Sequence, residues 1–221
     1  MFLIYRVKKG IFKLYQLFMN FAFFTITILM IGCFGADQQD RLLFDGISMK
    51  NWEVINYEGG GEISISDSSI IINKGEIMSG LRWTGDFPKS NYEVTLYARR
   101  VDGNDFFCGL TFPVKDSFLT LVLGGWGGMV TGLSCIDGAD AANNITQTLY
   151  QYGRGWWWDI KLRVTDEKVE VWIAGEKFVD FTIGNSKLSL RSEVEPSIPF
   201  GITTYKTTGA IRDIKLRQLN K

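Results

Sequence analysis

Polar and apolar residues alternate with a period of two through most of the chain beyond residue 42, as strands that bury one face require. Residues 91–100 are the clearest case, with Tyr92, Val94, Leu96 and Ala98 alternating with Glu93, Thr95, Tyr97 and Arg99. Similar runs cover 62–65, 69–72, 79–84, 106–112, 118–124, 129–136, 157–164, 169–174, 178–183, 200–205 and 211–216. Gly, Asp and Asn turns separate them, and the links at 166–168 and 174–177 are short enough for hairpins. Within 157–164, alternation sends Trp158, Ile160, Leu162 and Val164 to the core and Trp157 to the face of Asp159, Lys161 and Arg163. Trp172 is expected to face outward beside Glu170. No amphipathic helix or repeat is visible. The expected fold class is all-β, a jelly-roll β-sandwich of two antiparallel sheets in one domain over 42–221.

Two phrases bracket this pattern. Leu43-Phe44-Asp45-Gly46, with Trp52 close behind, stands at the start, and Ala210-Ile211-Arg212-Asp213-Ile214-Lys215-Leu216 stands at the end. The closing run is a strand that needs a neighbour for its backbone groups, and a first strand near the domain start is the natural candidate.

Residues 1–33 read differently. Arg6, Lys8, Lys9 and Lys13 precede an uncharged run over 14–32 rich in Phe, Ile and Leu, the charge and hydropathy pattern of an export signal. It ends Leu29-Met30-Ile31-Gly32-Cys33, which resembles the lipobox of bacterial lipoproteins, with Cys33 as the lipidated residue and 34–41 as a tether. A retained membrane anchor is the competing reading, because the run is long enough to span a bilayer. Simple cleavage to a soluble secreted protein is the third, and either anchored form sets the domain at the bacterial membrane, outside the cytoplasm. Cys108 and Cys135 then remain, as a disulfide of an oxidising compartment or as two small core residues on neighbouring strands.

Charge narrows the choice of partner. Lys plus Arg and Asp plus Glu number 24 each, so no net field draws the chain to nucleic acid. Histidine is absent, so chemistry must run on carboxylates, Lys, Tyr, Cys or an oxygen-bound ion. In 123–144, Gly124-Gly125-Trp126-Gly127-Gly128 exposes an indole among residues without side chains, and Asp137, Asp140, Asn143 and Asn144 follow on one loop. These residues form a candidate sugar platform, Trp126 stacking on a pyranose and the loop reaching hydroxyls or a calcium ion. The alternative is a glycine bend followed by a loop whose Asp and Asn bond their own backbone. The row Glu93, Thr95, Tyr97 and Arg99 is the most polar strand face, which Thr111 and Thr120 are expected to join. Arg99, Tyr97, Trp126, Asp137 and Asp140 are expected to meet at one rim, with Asn143 and Tyr205 as further contacts. Asp105 or Asp140 would serve as general base and Arg99 would stabilise an oxyanion.

The bracketing phrases, the 157–164 strand leading into Val169-Glu170-Val171-Trp172-Ile173, and the closing Phe200-Gly201-Ile202 resemble the 3-keto-disaccharide hydrolase domain family. The resemblance implies a concanavalin-like, glucanase-type jelly roll, a carbohydrate ligand, and cleavage of glycosidic bonds in 3-keto-disaccharides or related glycosides. It also implies a metal with His and carboxylate ligands in members with eliminase or hydratase activity. In the related glucanase-type folds a structural calcium has precedent, and Asp45 and Asp213 are the candidate ligands here. The Glu-x-Asp-x-x-Glu motif of those glucanases is absent. A glycan-binding surface lipoprotein without catalysis and a structural envelope protein are the alternatives.

Overall fold

A computed structural model describes residues 40–220. The expected export signal, Cys33 and most of the tether lie outside the described residues. The strands are β1 (Arg41–Leu42), β2 (Trp52–Val54), β3 (Ile63–Ser66), β4 (Ser69–Ile72), β5 (Met78–Trp83), β6 (Tyr92–Asp102), β7 (Cys108–Val114) and β8 (Ser117–Gly125). They continue with β9 (Val130–Ser134), β10 (Thr148–Leu149), β11 (Trp157–Val164), β12 (Lys168–Ile173), β13 (Glu176–Thr182), β14 (Phe200–Tyr205) and β15 (Thr208–Gln218). A short 3-10 helix, Ser192–Ser197, precedes β14.

Two antiparallel sheets form the expected sandwich. The first runs β13-β12-β11-β6-β15-β4-β3, with β1 also paired to β15, and the second runs β10-β9-β8-β7-β14-β5-β2. Alternation is realised along β11, where Trp158, Ile160, Leu162 and Val164 are buried and Trp157, Asp159, Lys161 and Arg163 face outward. Leu96, Leu110, Leu121 and Ile202 are among the side chains that fill the space between the layers. The Tyr92 hydroxyl spans them, donating to the Pro113 carbonyl at 2.6 Å.

The bracketing phrases close on each other. Arg41 and Leu42 pair with Leu216 and Lys215, and the Leu43 amide donates to the Ile214 carbonyl at 2.8 Å. β4 takes the same edge of β15 over Gly209–Ile211, so β1 satisfies the backbone beyond the point where β4 ends. The Trp52 indole N–H donates to the Leu43 carbonyl at 2.8 Å and packs edge-on against Trp83. The carboxylates of Asp45 and Asp213 are engaged separately. Asp45 accepts from the amides of Ile47 and Ser48, an Asx turn, and these bonds hold its carboxyl below the usual range. Asp213 lies in the bulge of β15 with φ +54° and pairs with Arg212 at 3.5 Å.

Of the two readings for the cysteines, the core one applies: Cys108 and Cys135 are both free and buried, and burial pushes the Cys108 thiol up to about 12. One expectation is corrected. Thr111 and Thr120 do not join the Glu93 row. The chain crosses from one layer to the other between β6 and β7, so residues facing outward on β6 and on β7 or β8 look in opposite directions.

If the Trp52 clasp secures the first strand, Trp52→Ala lowers stability by about 3–5 kcal/mol in urea denaturation. A loss under 1 kcal/mol would show that the clasp carries no weight.

Candidate functional site

The outward face of the second sheet holds a pocket of about 320 Å³, toward the small end of ligand cavities. Its floor comes from alternate positions on neighbouring strands: Met78, Thr120, Val122, Ser134 and Tyr205. One wall is the β8–β9 turn with Trp126, beside Asp105 and Phe106, and the other is the segment carrying Arg191, Glu193 and Val194.

Arg100 shapes the first wall. Its side chain is buried, and its guanidinium donates to the carbonyls of Tyr152 at 3.3 Å, Asp105 at 3.2 Å, Gly124 at 3.2 Å and Gly128 at 3.1 Å. A side chain at Gly124 would meet that guanidinium at 2.3 Å, so only glycine fits there, and its φ of +71° makes the same demand. Asp105 ties the turn from the other side. One carboxylate oxygen accepts from the Phe106 amide at 2.8 Å and the other from the Gly127 amide at 3.1 Å. Trp126, held at φ +49°, is therefore left 44% exposed at the pocket edge.

The second wall is seated by another glycine. A Cβ at Gly201 of β14 would lie 2.5 Å from that of Ser197, so the 3-10 turn can pack on the strand only where no side chain intervenes. The Tyr57 hydroxyl donates to the Glu193 carbonyl at 2.9 Å. Arg191 donates to the Glu193 carboxylate at 2.5 Å and approaches Asp140 at 3.6 Å. Partial burial pushes the Glu193 carboxyl up, but the hydrogen bond from Arg191 and other local donors outweigh it, leaving a net lowered pKa.

Asp105, Trp126 and Tyr205, drawn from distant parts of the sequence, thus meet in one pocket, and Asp140 reaches it through Arg191. Asp137 and Asn143 are not among the pocket-lining residues. Asp137 accepts from the Lys187 amide at 2.7 Å, and Asn143 donates to Asp140 at 2.8 Å. Asn144 bonds the carbonyls of Leu133, Ala139 and Asp140, so the Asx-loop reading holds for this stretch. Arg99 and Tyr97 are a correction. They lie on the outward face of the first sheet, with the whole sandwich between them and Trp126. Arg191, Glu193 and Val194 were missed because their segment has no alternation. Its readable signal is a pair of glutamates running into Pro196 after a serine, a helix-like start that cannot extend.

The metal implied by the family resemblance finds no fit. The chain has no His, and no three carboxylate or thiol side chains gather among the described residues. Both oxygens of Asp105 already accept backbone amides, and Glu193 is held by Arg191.

The family model for the 3-keto-alpha-glucoside-1,2-lyase-like domain matches residues 39–217. The chain belongs to that family. It is a carbohydrate-active, glycosyl-hydrolase-like domain family. No curated protein sequence matches the chain. Among solved structures, a Bacillus subtilis protein with a galectin-like fold superposes with a TM-score of 0.59 at 14% identity, covering 83% of this chain and 96% of that one. A protein from Parabacteroides distasonis, described as a candidate glycosyl hydrolase, gives 0.54 at 14% identity, covering 83% and 95%. The carbohydrate-binding module CBM66 from Bacillus subtilis gives 0.51 at 12% identity, covering 76% and 96%. At these identities the superpositions establish the jelly-roll fold.

Replacing Arg100 by Met leaves three buried carbonyls and the part-buried one of Asp105 without this donor and should lower stability by about 3 kcal/mol. The Gly127 and Gly128 amides should exchange faster with solvent, read by hydrogen exchange. Unchanged protection there would mean that Arg100 does not hold the Trp126 turn.

Proposed function

We propose that the chain holds a saccharide in this pocket and cleaves the C1–oxygen bond of a 3-keto-glycoside there. What supports the reading is the convergence in one cavity of an exposed indole, an ion-paired Glu193 and Arg191, and a fixed Asp105, in a member of this family. A ring lying against Trp126 would direct its hydroxyls toward Arg191, Glu193 and Ser134.

The chemistry follows from the substrate class. A carbonyl at C3 acidifies the proton on C2, so a base can take that proton while the electron pair spreads onto the ketone oxygen. Expelling the oxygen at C1 then forms the C1–C2 double bond, and that oxygen regains a proton as a free alcohol. Water added across the double bond would make the net result a hydrolysis. Arg191 is the group suited to the enolate oxygen, and Glu193 is suited to take the C2 proton and return it to the leaving oxygen. The two roles are linked. Glu193 is a weak base while Arg191 donates to it, and an Arg191 drawn to the ketone releases the carboxylate and strengthens it. Asp105 acts as a positioning residue for the Trp126 turn.

Glycan binding without catalysis is the second reading, favoured by Asp105, whose two carboxylate oxygens already accept backbone amides beside the exposed Trp126. In either case the domain is placed at the bacterial envelope by a lipid on Cys33. Labelled palmitate should enter the wild type and not Cys33→Ala, and equal labelling of both would remove the anchor.

Incubation with a 3-keto-glucoside, followed by proton NMR, separates the two readings. The catalytic one expects release of the aglycone, unaffected by EDTA, and a loss of about 100-fold or more in kcat for Glu193→Gln with KM little changed. Trp126→Ala should weaken binding about tenfold. Binding without turnover by the wild type would leave the second reading.

A further inference from the structure

The outward face of the first sheet carries chemistry that the pocket does not use. Strand pairing sets Arg99 beside Trp157, Arg212 beside Tyr97, and Lys215 and Lys161 on either side of Thr95. The Arg99 and Arg212 guanidinium carbons lie 4.5 and 4.3 Å from the Trp157 ring centroid. Arg212 is also 5.4 Å from the Tyr97 ring, and the Lys161 ammonium is 4.1 Å from that of Trp172.

Glu93, Glu170 and Asp180 share this face but are taken up by Arg163, Lys177 and Lys168. Asp159 lies opposite Tyr97, and Asp213 reaches Arg212 at 3.5 Å without a hydrogen bond. Arg99, Lys161 and Lys215 make no ion pair among the described residues. The Nε atoms of Arg99 and Arg212 are buried and without a hydrogen-bond partner. Two guanidinium groups drawn to one indole repel each other, and stacking uses their faces while leaving the in-plane donors of the terminal nitrogens available. That arrangement suits oxyanions with two oxygens side by side, which accept two parallel N–H bonds from such a fork. The overall charge is zero, so the positive field is local to the face.

We propose that this face is a second binding surface, for an anionic glycan whose carboxylate or sulfate groups pair with Arg99 and Arg212 and then with Lys161 and Lys215. The two arginines lie against the indole with Nε covered, and therefore meet a chain lying across the sheet better than the flat surface of a bilayer. The inference is independent of the pocket.

Calorimetric titration tests it with polygalacturonate and chondroitin sulfate, with neutral dextran and phosphatidylglycerol vesicles as controls. The acidic polysaccharides should bind, more weakly as salt rises, and dextran should not bind this face. The double variant Arg99→Gln, Arg212→Gln should lose about tenfold or more in affinity, while Trp126→Ala should leave it unchanged. A second double variant, Lys161→Gln with Lys215→Gln, leaves the stacked arginines in place and should lose affinity severalfold. Absence of binding, affinity unchanged in both double variants, or binding of the vesicles but not the polysaccharides would overturn the proposal.

Discussion

A guanidinium buried between two sheets needs acceptors, and the terminal nitrogens of Arg100 find them in the carbonyls of Asp105, Gly124, Gly128 and Tyr152, while its Nε has no partner. Desolvation lowers the pKa of Arg100, but a guanidinium starts so high that it stays charged, and the four carbonyl dipoles answer that charge. The constraint propagates outward. Gly124 must lack a side chain, the turn after it must pass through left-handed residues, and Trp126 is carried to the rim of the pocket. Asp105 completes the clamp by accepting from the Phe106 and Gly127 amides. The exposed indole is thus fixed by groups that sit behind it.

The sandwich separates two surfaces of different chemistry. The second sheet presents small and neutral side chains, Thr120, Val122 and Ser134, beneath one aromatic wall and one ionic wall. The first sheet presents arginine and lysine against Trp157 and Trp172. Residues adjacent in sequence, Arg99 and Arg100, serve opposite sides of β6, one facing solvent and one locking the site turn.

The alternation that marks a half-buried strand made most of the sandwich legible, down to the orientation of Trp157, Trp158 and Trp172. The pairing of the terminal phrases was legible for a related reason, since an apolar strand at the end of a domain needs a partner. Alternation reports which side of a strand a residue takes, but it is silent on which sheet that strand joins. For that reason Arg99 and Tyr97 were expected beside Trp126, though the crossing between β6 and β7 sends them to the other surface. Short β2 and β10, and the 3-10 turn with Arg191 and Glu193, have too few residues to show a period. Trp126, Asp105 and Tyr205 could be picked out because an aromatic among glycines and a carboxylate just past a strand stand out from their surroundings.

On the proposed reading, saccharide is held between the Trp126 turn and the Arg191–Val194 segment. Titrating a 3-keto-glucoside into nitrogen-15-labelled protein and following the amide resonances locates it. Shifts confined to residues 105–106, 126–128, 191–194 and 205 are the expected result. Shifts centred on Arg99, Trp157 and Arg212, or none at saturating sugar, would contradict it.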